Sequence, residues 1–177
     1  MSEIYSPLDD SFLLSEVLKK QIPKLLTKNL KFLEIGSGSG IQLETAKNLG
    51  VKNIFSCDIN PTAVKHCKRL GFNCVKSDLF NNIKGKFDLI IFNPPYLSED
   101  KREPEDSKVS TTGGKTGSEI INRFLKQVKF HLNKNGKIIL LISSLTKGVK
   151  FNDYKKKLLK KKKIFYEELF VWELFIK

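Results

Sequence analysis

The feature that most restricts the fold is a short apolar segment running straight into three alternating glycines. Lys31-Phe32-Leu33-Glu34-Ile35 reads as a β-strand, and Gly36-Ser37-Gly38-Ser39-Gly40 follows it directly. An amphipathic stretch through Leu43, Ala46 and Leu49 then closes at Gly50. Strand, glycine turn and helix in that order bring backbone N–H groups close to a ligand, because glycine permits both the tight turn and the close approach. The spacing differs from the common dinucleotide pattern Gly-x-Gly-x-x-Gly, and glycines can also mark any tight strand-to-helix turn.

The rest of the chain repeats that alternation of short apolar runs and amphipathic stretches, which predicts an α/β sheet with crossover helices. Phe12-Leu13-Leu14, Val17-Leu18 and Ile22 mark a first helix ending near Pro23. Asn53–Asp58 is a second strand. Asn60 and Pro61 then stand at the N-cap and first turn of a helix through Val64, Cys67 and Leu70, stopped by Gly71. Phe72–Val75 is a short third strand, and Phe87–Phe92 a fourth, apolar enough to be buried on both faces. Leu97–Lys115 is a long irregular segment, and a loop of that length is usually functional or disordered. A helix with Ile120, Ile121, Phe124, Leu125 and Val128 on one side follows. Gly136 then breaks the chain before a fifth strand, Lys137–Ser143. The run Asn152–Lys162 reads as a lysine-rich helix, and Ile164–Ile176 as two closing antiparallel strands.

At 177 residues the chain has the length of one domain. No apolar run approaches the ~20 residues of a membrane span, and the polar start Met1-Ser2-Glu3 does not read as a secretory leader. A cytoplasmic protein is the expectation. The three cysteines, Cys57, Cys67 and Cys74, form no Cys-x-x-Cys pair, which argues for reduced core thiols and no metal site. The net charge of +13 suits nucleic acid or an acidic surface. Only three of the basic residues are Arg, however, and seven lysines lie within Lys155–Lys163, so a solvated lysine face explains much of the bias.

Three further positions carry chemistry. Asp58 ends the second strand about 20 residues after the first glycine, where a carboxylate reaches ribose hydroxyls in doubly wound folds. A helix N-terminal charge is the plainer explanation for it. Asp78 follows the third strand, where it can accept from an adenine amino group, with Leu79 as an apolar wall. Asn93-Pro94-Pro95-Tyr96 ends the fourth strand. Two prolines fix the backbone there and leave carbonyls without ladder partners. The Asn93 side-chain oxygen and the Pro94 carbonyl can then accept both hydrogens of a planar –NH₂, and Tyr96 offers an aromatic face to hold it. Such a site suits an amide or aryl amine.

Leu33–Gly40, Asp58, Asp78 and Asn93–Tyr96 together resemble class I S-adenosylmethionine-dependent methyltransferases of the amino-methylating branch. Tyr5-Ser6-Pro7-Leu8-Asp9-Asp10-Ser11-Phe12-Leu13-Leu14 is similar to the N-terminal Tyr-x-Pro-x-Glu-Asp-Thr-x-Leu-Leu of short HemK-like enzymes. Gly113-Gly114-Lys115-Thr116-Gly117 through Phe124 resembles their Gly-Gly segment. Asp9 for Glu, Ser11 for Thr and Ser37 for Thr are departures that keep the chemical type.

The resemblance implies a Rossmann-like fold, with a mostly parallel seven-stranded sheet, an antiparallel last strand and helices on both faces. It implies a single methyltransferase domain over 1–177, divided into an N-terminal helical segment, 1–28, and a catalytic core, 29–177. There is no room for the extra helical domain of bacterial members.

The implied cofactor is S-adenosyl-L-methionine, leaving as S-adenosylhomocysteine. Glu34, Gly36, Ser37, Gly38, Gly40, Asp58, Ile59, Asn60, Asp78, Leu79 and Asn93 would hold it, with Tyr5 and Ser11 from the N-terminal segment. Asn93, Pro94, Pro95 and Tyr96 would be catalytic, and Gly113–Gly117 with its preceding loop would cover peptide or cofactor.

The implied substrate is the Gly-Gly-Gln glutamine of a class 1 translation release factor. The implied partner is a small zinc-binding activator that pairs with the edge at Phe72–Val75, taken as apolar with Phe80 beside it. Nuclear as well as cytoplasmic location follows for a eukaryotic source, and Lys155–Lys163 could meet ribosomal RNA or an acidic surface. The alternatives are amino methylation of adenine in DNA or of other nucleic acid, protein lysine methylation at the same site, and a non-catalytic binding subunit.

Overall fold

A computed structural model describes residue 4, residues 6–97 and residues 112–177. The elements in order are α1 (Asp9–Leu25), β1 (Lys31–Ile35), α2 (Ile41–Asn48), β2 (Asn53–Asp58), α3 (Pro61–Arg69), β3 (Asn73–Lys76), β4 (Phe87–Phe92), α4 (Glu119–Val128), β5 (Leu132–Ser143), β6 (Tyr154–Ile164) and β7 (Glu167–Ile176). The seven strands form one sheet in the order β3-β2-β1-β4-β5-β7-β6. Neighbours from β3 to β5 are parallel, and β7 runs antiparallel to both β5 and β6. This is the Rossmann-like sheet expected of a class I methyltransferase.

Alternation along the central strands sorts the core into two layers. Phe32, Leu89, Ile91, Ile139, Leu141 and Val171 pack with residues of α1, α2 and α3. Leu33, Ile35, Ile90, Phe92, Ile138 and Leu140 face the other way, onto α4. Phe124 of α4 is fully buried and meets the rings of Phe92 and Phe80 at centroid distances of 4.9 and 5.7 Å. At α3 the Asn60 side chain accepts from the Thr62 N–H at 2.9 Å, as its sequence position predicts.

The lysine run is the main departure. Tyr154–Ile164 is an edge strand, not a helix. It pairs along its length with β7, and the bulge at Leu158/Lys160 shifts its register. Lysine tolerates either conformation, and a run without an apolar stripe gives a helix nothing to bury. On an edge, lysines discourage further strand pairing. Part of their charge is matched from across the sheet: Lys162 Nζ lies 2.8 Å from Asp9 Oδ1, and Lys160 pairs with Glu16. The Lys156 ammonium sits 4.4 Å from the Trp172 ring centroid. The two closing antiparallel strands therefore exist, but one of them is the lysine run.

Two smaller differences concern strand ends. The fifth strand starts at Leu132 and passes through Gly136 rather than breaking there. A Cβ at Gly136 would lie 2.9 Å from the Phe87 carbonyl oxygen, so glycine lets β5 pass an irregularity in its pairing with β4. At the opposite edge, β3 exposes Asn73 and Lys76 while Cys74, Phe72 and Phe80 are buried, so that edge is less apolar than the sequence suggests. Phe80 stacks on His131 at 4.5 Å instead of lying open beside β3. Among the described residues no helix is long and apolar enough to cross a membrane.

Replacing Phe124 by Ala should cost about 3–5 kcal/mol, read as a lower urea midpoint at unchanged slope. A loss below about 1 kcal/mol would show that α4 does not hold this face of the core.

Candidate active site

The site lies beyond the carboxyl ends of β1, β2, β3 and β4, where open α/β sheets bind their ligands. The chain leaves β1 through Gly36, Gly38 and Gly40, with φ of 70°, 48° and 82°. These left-handed angles are cheap only for glycine. The turn is tied to the end of β2. Gly36 N–H and Ser37 N–H donate to the Cys57 carbonyl at 2.8 and 3.1 Å, and Gly38 N–H donates to Asp58 Oδ2 at 2.9 Å. Asp58 Oδ1 accepts from Asn60 N–H at 2.8 Å, so one carboxylate fixes both the glycine turn and the start of α3.

A cavity of about 380 Å³ opens over this turn. It gathers Ser11, Glu34, Gly36, Ser37, Gly38, Asp58, Ile59, Asn60, Asp78, Leu79, Asn93, Pro94, Pro95 and Tyr96, which is nearly the whole set of candidate residues. Gly40 stands apart: its Cα faces Leu70 and Cys67, so it shapes the packing of α2 on α3. Tyr5 lies outside the described residues. Leu79 adopts a left-handed φ of 49°. Its carbonyl accepts from Ser77 Oγ at 2.8 Å, which helps to hold that strained backbone against the cavity.

Two residues that line the cavity, buried Glu34 and half-buried Asn93, each have a buried side-chain oxygen without a partner, Oε2 and Oδ1. Burial, reinforced by the nearby Asp58 charge, pushes the Glu34 carboxyl well above its ordinary value. Burial also raises Asp58, opposed by the backbone N–H groups of Gly38, Asn60 and Ile59. Asp78 is more open, and Arg123 Nη2 lies 2.5 Å from its Oδ2. The Asn93 amide nitrogen donates to Asp10 Oδ2 at 3.0 Å.

Asp10, Ser77, Gln42, Ile120 and Glu167 also line the cavity and were not apparent from the sequence. Gln42 ties α1 to α2, donating to the Ser11 carbonyl at 2.8 Å and accepting from Ser15 Oγ at 2.9 Å. Such contacts join segments about 30 residues apart, and no local pattern announces them.

The glycine-rich segment does something other than cover a ligand. Gly113 and Gly117 are absent from the cavity wall and pack behind Pro95-Tyr96. A Cβ on Gly113 would stand 2.5 Å from the Pro95 carbonyl oxygen, and one on Gly117 2.3 Å from that of Tyr96. Gly113 N–H donates to the Leu97 carbonyl at 2.9 Å. This segment buttresses the Asn-Pro-Pro-Tyr turn from behind. The loop before it, 98–111, lies outside the described residues.

A family model described as Eco57I restriction-modification methylase matches residues 71–167, the stretch that contains Asn93–Tyr96. Over 152 residues the chain is 41% identical to a Methanocaldococcus jannaschii protein assigned to the protein N5-glutamine methyltransferases, covering 81% of this chain and 74% of that one. The chain belongs to the HemK-like glutamine N5-methyltransferase family. The eRF1 methyltransferase catalytic subunit mtq2 of Schizosaccharomyces pombe is 30% identical, with 76% of this chain and 70% of that protein covered. Among solved structures, the E. cuniculi Mtq2-Trm112 complex, described as responsible for methylating the eRF1 translation termination factor, superposes with a TM-score of 0.75. That match has 25% identity and covers 100% of both chains.

Two predictions follow from these contacts. Gly117→Ala should lose about 2 kcal/mol or more, because its Cβ collides with backbone and its φ of 82° disfavours a side chain. Wild-type stability in a thermal melt would show that the turn yields. For Glu34, the folded protein holds its proton above the unfolded value of 4.5. Stability is therefore lost as pH rises from about that value through the folded one, and the penalty is complete above it. Glu34→Gln should melt higher than wild type at neutral pH in the absence of ligand, with the gap closing on acidification towards pH 4.5. A gap of the same size at every pH would remove burial of the charge as its cause.

Proposed function

We propose that the protein transfers a methyl group from S-adenosyl-L-methionine to the side-chain amide of the Gly-Gly-Gln glutamine of a class 1 translation release factor. The observation that carries this reading is the buried, unpartnered Asn93 Oδ1 at the cavity wall, on a turn that family membership ties to amide methylation. Such an atom is costly to leave unpaired, and a substrate N–H removes the cost.

The residues fit the cofactor. Glu34 keeps an unpaired oxygen where an ammonium is welcome. Asp58 retains lone pairs for ribose hydroxyls beyond its backbone bonds, and Asp78 has its second oxygen for an adenine amino group beside the Leu79 wall. Ser37, Gly38, Ile59 and Asn60 supply the rest of that wall, with Ser11 from α1. The resemblance adds Tyr5, which lies outside the described residues.

When bound, S-adenosyl-L-methionine supplies an electrophilic methyl on a sulfonium and leaves as S-adenosylhomocysteine. The chain's task is to make a poor nucleophile attack. An amide nitrogen is poor because its lone pair is delocalised. Asn93 Oδ1 and the Pro94 carbonyl accept its two hydrogens, and Tyr96 holds the plane. Both hydrogen bonds strengthen as positive charge develops on nitrogen, so they act chiefly in the transition state, and the surplus proton then leaves the methylated nitrogen for solvent. Pro94 and Pro95 fix the acceptors, and the Gly113–Gly117 buttress keeps the turn from moving; positioning of this kind is itself a large part of the rate. The whole described fold acts as one catalytic unit.

The partner reading rests on β3, which pairs with β2 alone at the sheet edge. In this reading a small zinc-binding activator adds a strand there; the Mtq2-Trm112 complex of the E. cuniculi neighbour supports a protein partner as such. The exposed lysines of β6 offer a second surface, for an acidic face of the factor or ribosomal RNA.

Methyl transfer from labelled S-adenosylmethionine should be followed with the activator co-expressed. The acceptors are a class 1 release factor, its Gly-Gly-Gln glutamine variant and an adenine-containing duplex. Label should enter the factor and vanish with the glutamine. Asn93→Ala should lower turnover by about 10²–10³ while S-adenosylhomocysteine binding persists. Label on the duplex alone would transfer the site to nucleic-acid chemistry, which the Eco57I-type match and the +13 charge make the arm to include.

A further inference from the structure

We infer that Asp10 is a positioning residue for the reaction: it locks the Asn93 side-chain amide in the one orientation that presents Oδ1 to the substrate. The inference rests on the amide-methylation reading above and adds a residue to it. Asp10 sits in the first turn of α1, 83 positions before Asn93 in sequence, and is 4% exposed. Its Oδ2 accepts from Asn93 Nδ2 at 3.0 Å, and its Oδ1 accepts from the Ser11 N–H at 2.6 Å. Both line the cavity.

The logic is one of donors and acceptors. An asparagine amide has two nearly isosteric ends, and a simple flip exchanges acceptor for donor. Presented the wrong way round, Asn93 would offer N–H to the substrate –NH₂, and two donors repel. A carboxylate only accepts, so it draws the Nδ2 end to itself and leaves Oδ1 without a partner, free for a substrate N–H. A buried charged acceptor is also stronger than a neutral one. It polarises the amide and makes Oδ1 a better acceptor when the substrate nitrogen becomes positive. Neither proline of the turn can do this, because the backbone sets where Asn93 stands and not which end of its amide points outward.

The isosteric variant Asp10→Asn tests this. Its amide has a single oxygen, which can serve Ser11 N–H or Asn93 Nδ2 but not both. Its nitrogen then faces a donor or competes for Asn93 Oδ1. Turnover should fall by roughly tenfold to a hundredfold, with the KM for the release factor and the affinity for S-adenosylhomocysteine by calorimetry changed less than about threefold. In the ¹H–¹⁵N spectrum, the Asn93 side-chain amide should shift and lose protection from exchange. A cycle with Asn93→Ala should be strongly non-additive, Asp10→Asn costing little once Asn93 is gone. Asp10→Ala, which removes the acceptor altogether, should follow the same pattern and serves if the Asn variant folds poorly.

A turnover within twofold of wild type with an unshifted Asn93 amide would overturn the inference, and so would additive losses, which would put Asp10 to work elsewhere. Full turnover of Asn93→Ala alone would instead bring down the amide-methylation reading, and this inference with it. The two failures are therefore told apart by which variant keeps its rate.

Discussion

Everything in the site depends on the clamp that Asp58 places between two turns. Its two oxygens take the Gly38 and Asn60 N–H groups, and the neighbouring Cys57 carbonyl takes those of Gly36 and Ser37. Four donors at the mouth of a parallel sheet would otherwise need water. By accepting them, the end of β2 decides where the glycine turn after β1 lies, and so where the cavity opens. The left-handed angles at Gly36, Gly38 and Gly40 follow from that requirement. The clamp also explains why acids cluster at the centre of a basic protein. Glu34, Asp58 and Asp10 are all buried within the cavity wall, while most of the lysines are exposed.

That concentration of acid has an energetic consequence. A buried carboxylate without a donor is held off its charged form, as Glu34 is, and so stores a local instability in the ligand-free fold. Asp58 is less exposed to this, because backbone N–H groups oppose the effect of its burial. The pair divides the labour: one carboxylate builds the turn and the other keeps an oxygen without a partner. Asn93 Oδ1, just past the end of the neighbouring strand β4, is a neutral buried oxygen likewise without a partner.

The sequence was most legible where local chemistry sets the structure. β1, β2 and β4 have the limits their apolar runs suggest, and Asn60-Pro61 caps α3 as its residue types require. That Glu34, Asp58 and Asn93 would share one end of the sheet was legible for the same reason, since each lies at or just beyond the end of a strand. Long-range decisions were not. Nothing local distinguishes an edge strand of lysines from a solvated helix, because the deciding interaction is pairing with β7. Gly136 looks like a stop unless the Phe87 carbonyl beside it is known. Asp10 stands in the N-terminal motif with no role of its own assigned to it, and its bond to Asn93 joins residues 83 positions apart. The Gly113–Gly117 segment suggested a cover over ligand, whereas the space it fills is the back of the Pro95-Tyr96 turn.

The misread lysine strand and the unforeseen Asp10 belong to one arrangement. Lys162 meets Asp9 and Lys160 meets Glu16, so β6 grips α1 at its first turn and again two turns along. Exposed pairs of this kind contribute little to global stability. Their geometry matters more, because Asp9 adjoins Asp10, and a first turn free to fray would carry Asp10 away from Asn93. On the side facing α2, Gln42 holds the Ser11 carbonyl and Ser15. The helix start that carries Asp10 and Ser11 is thus secured from two sides before any ligand binds. Part of the lysine run thereby acquires a structural role in the site, without contact with nucleic acid. Lys155, Lys157 and Lys163, which do not reach α1, are exposed.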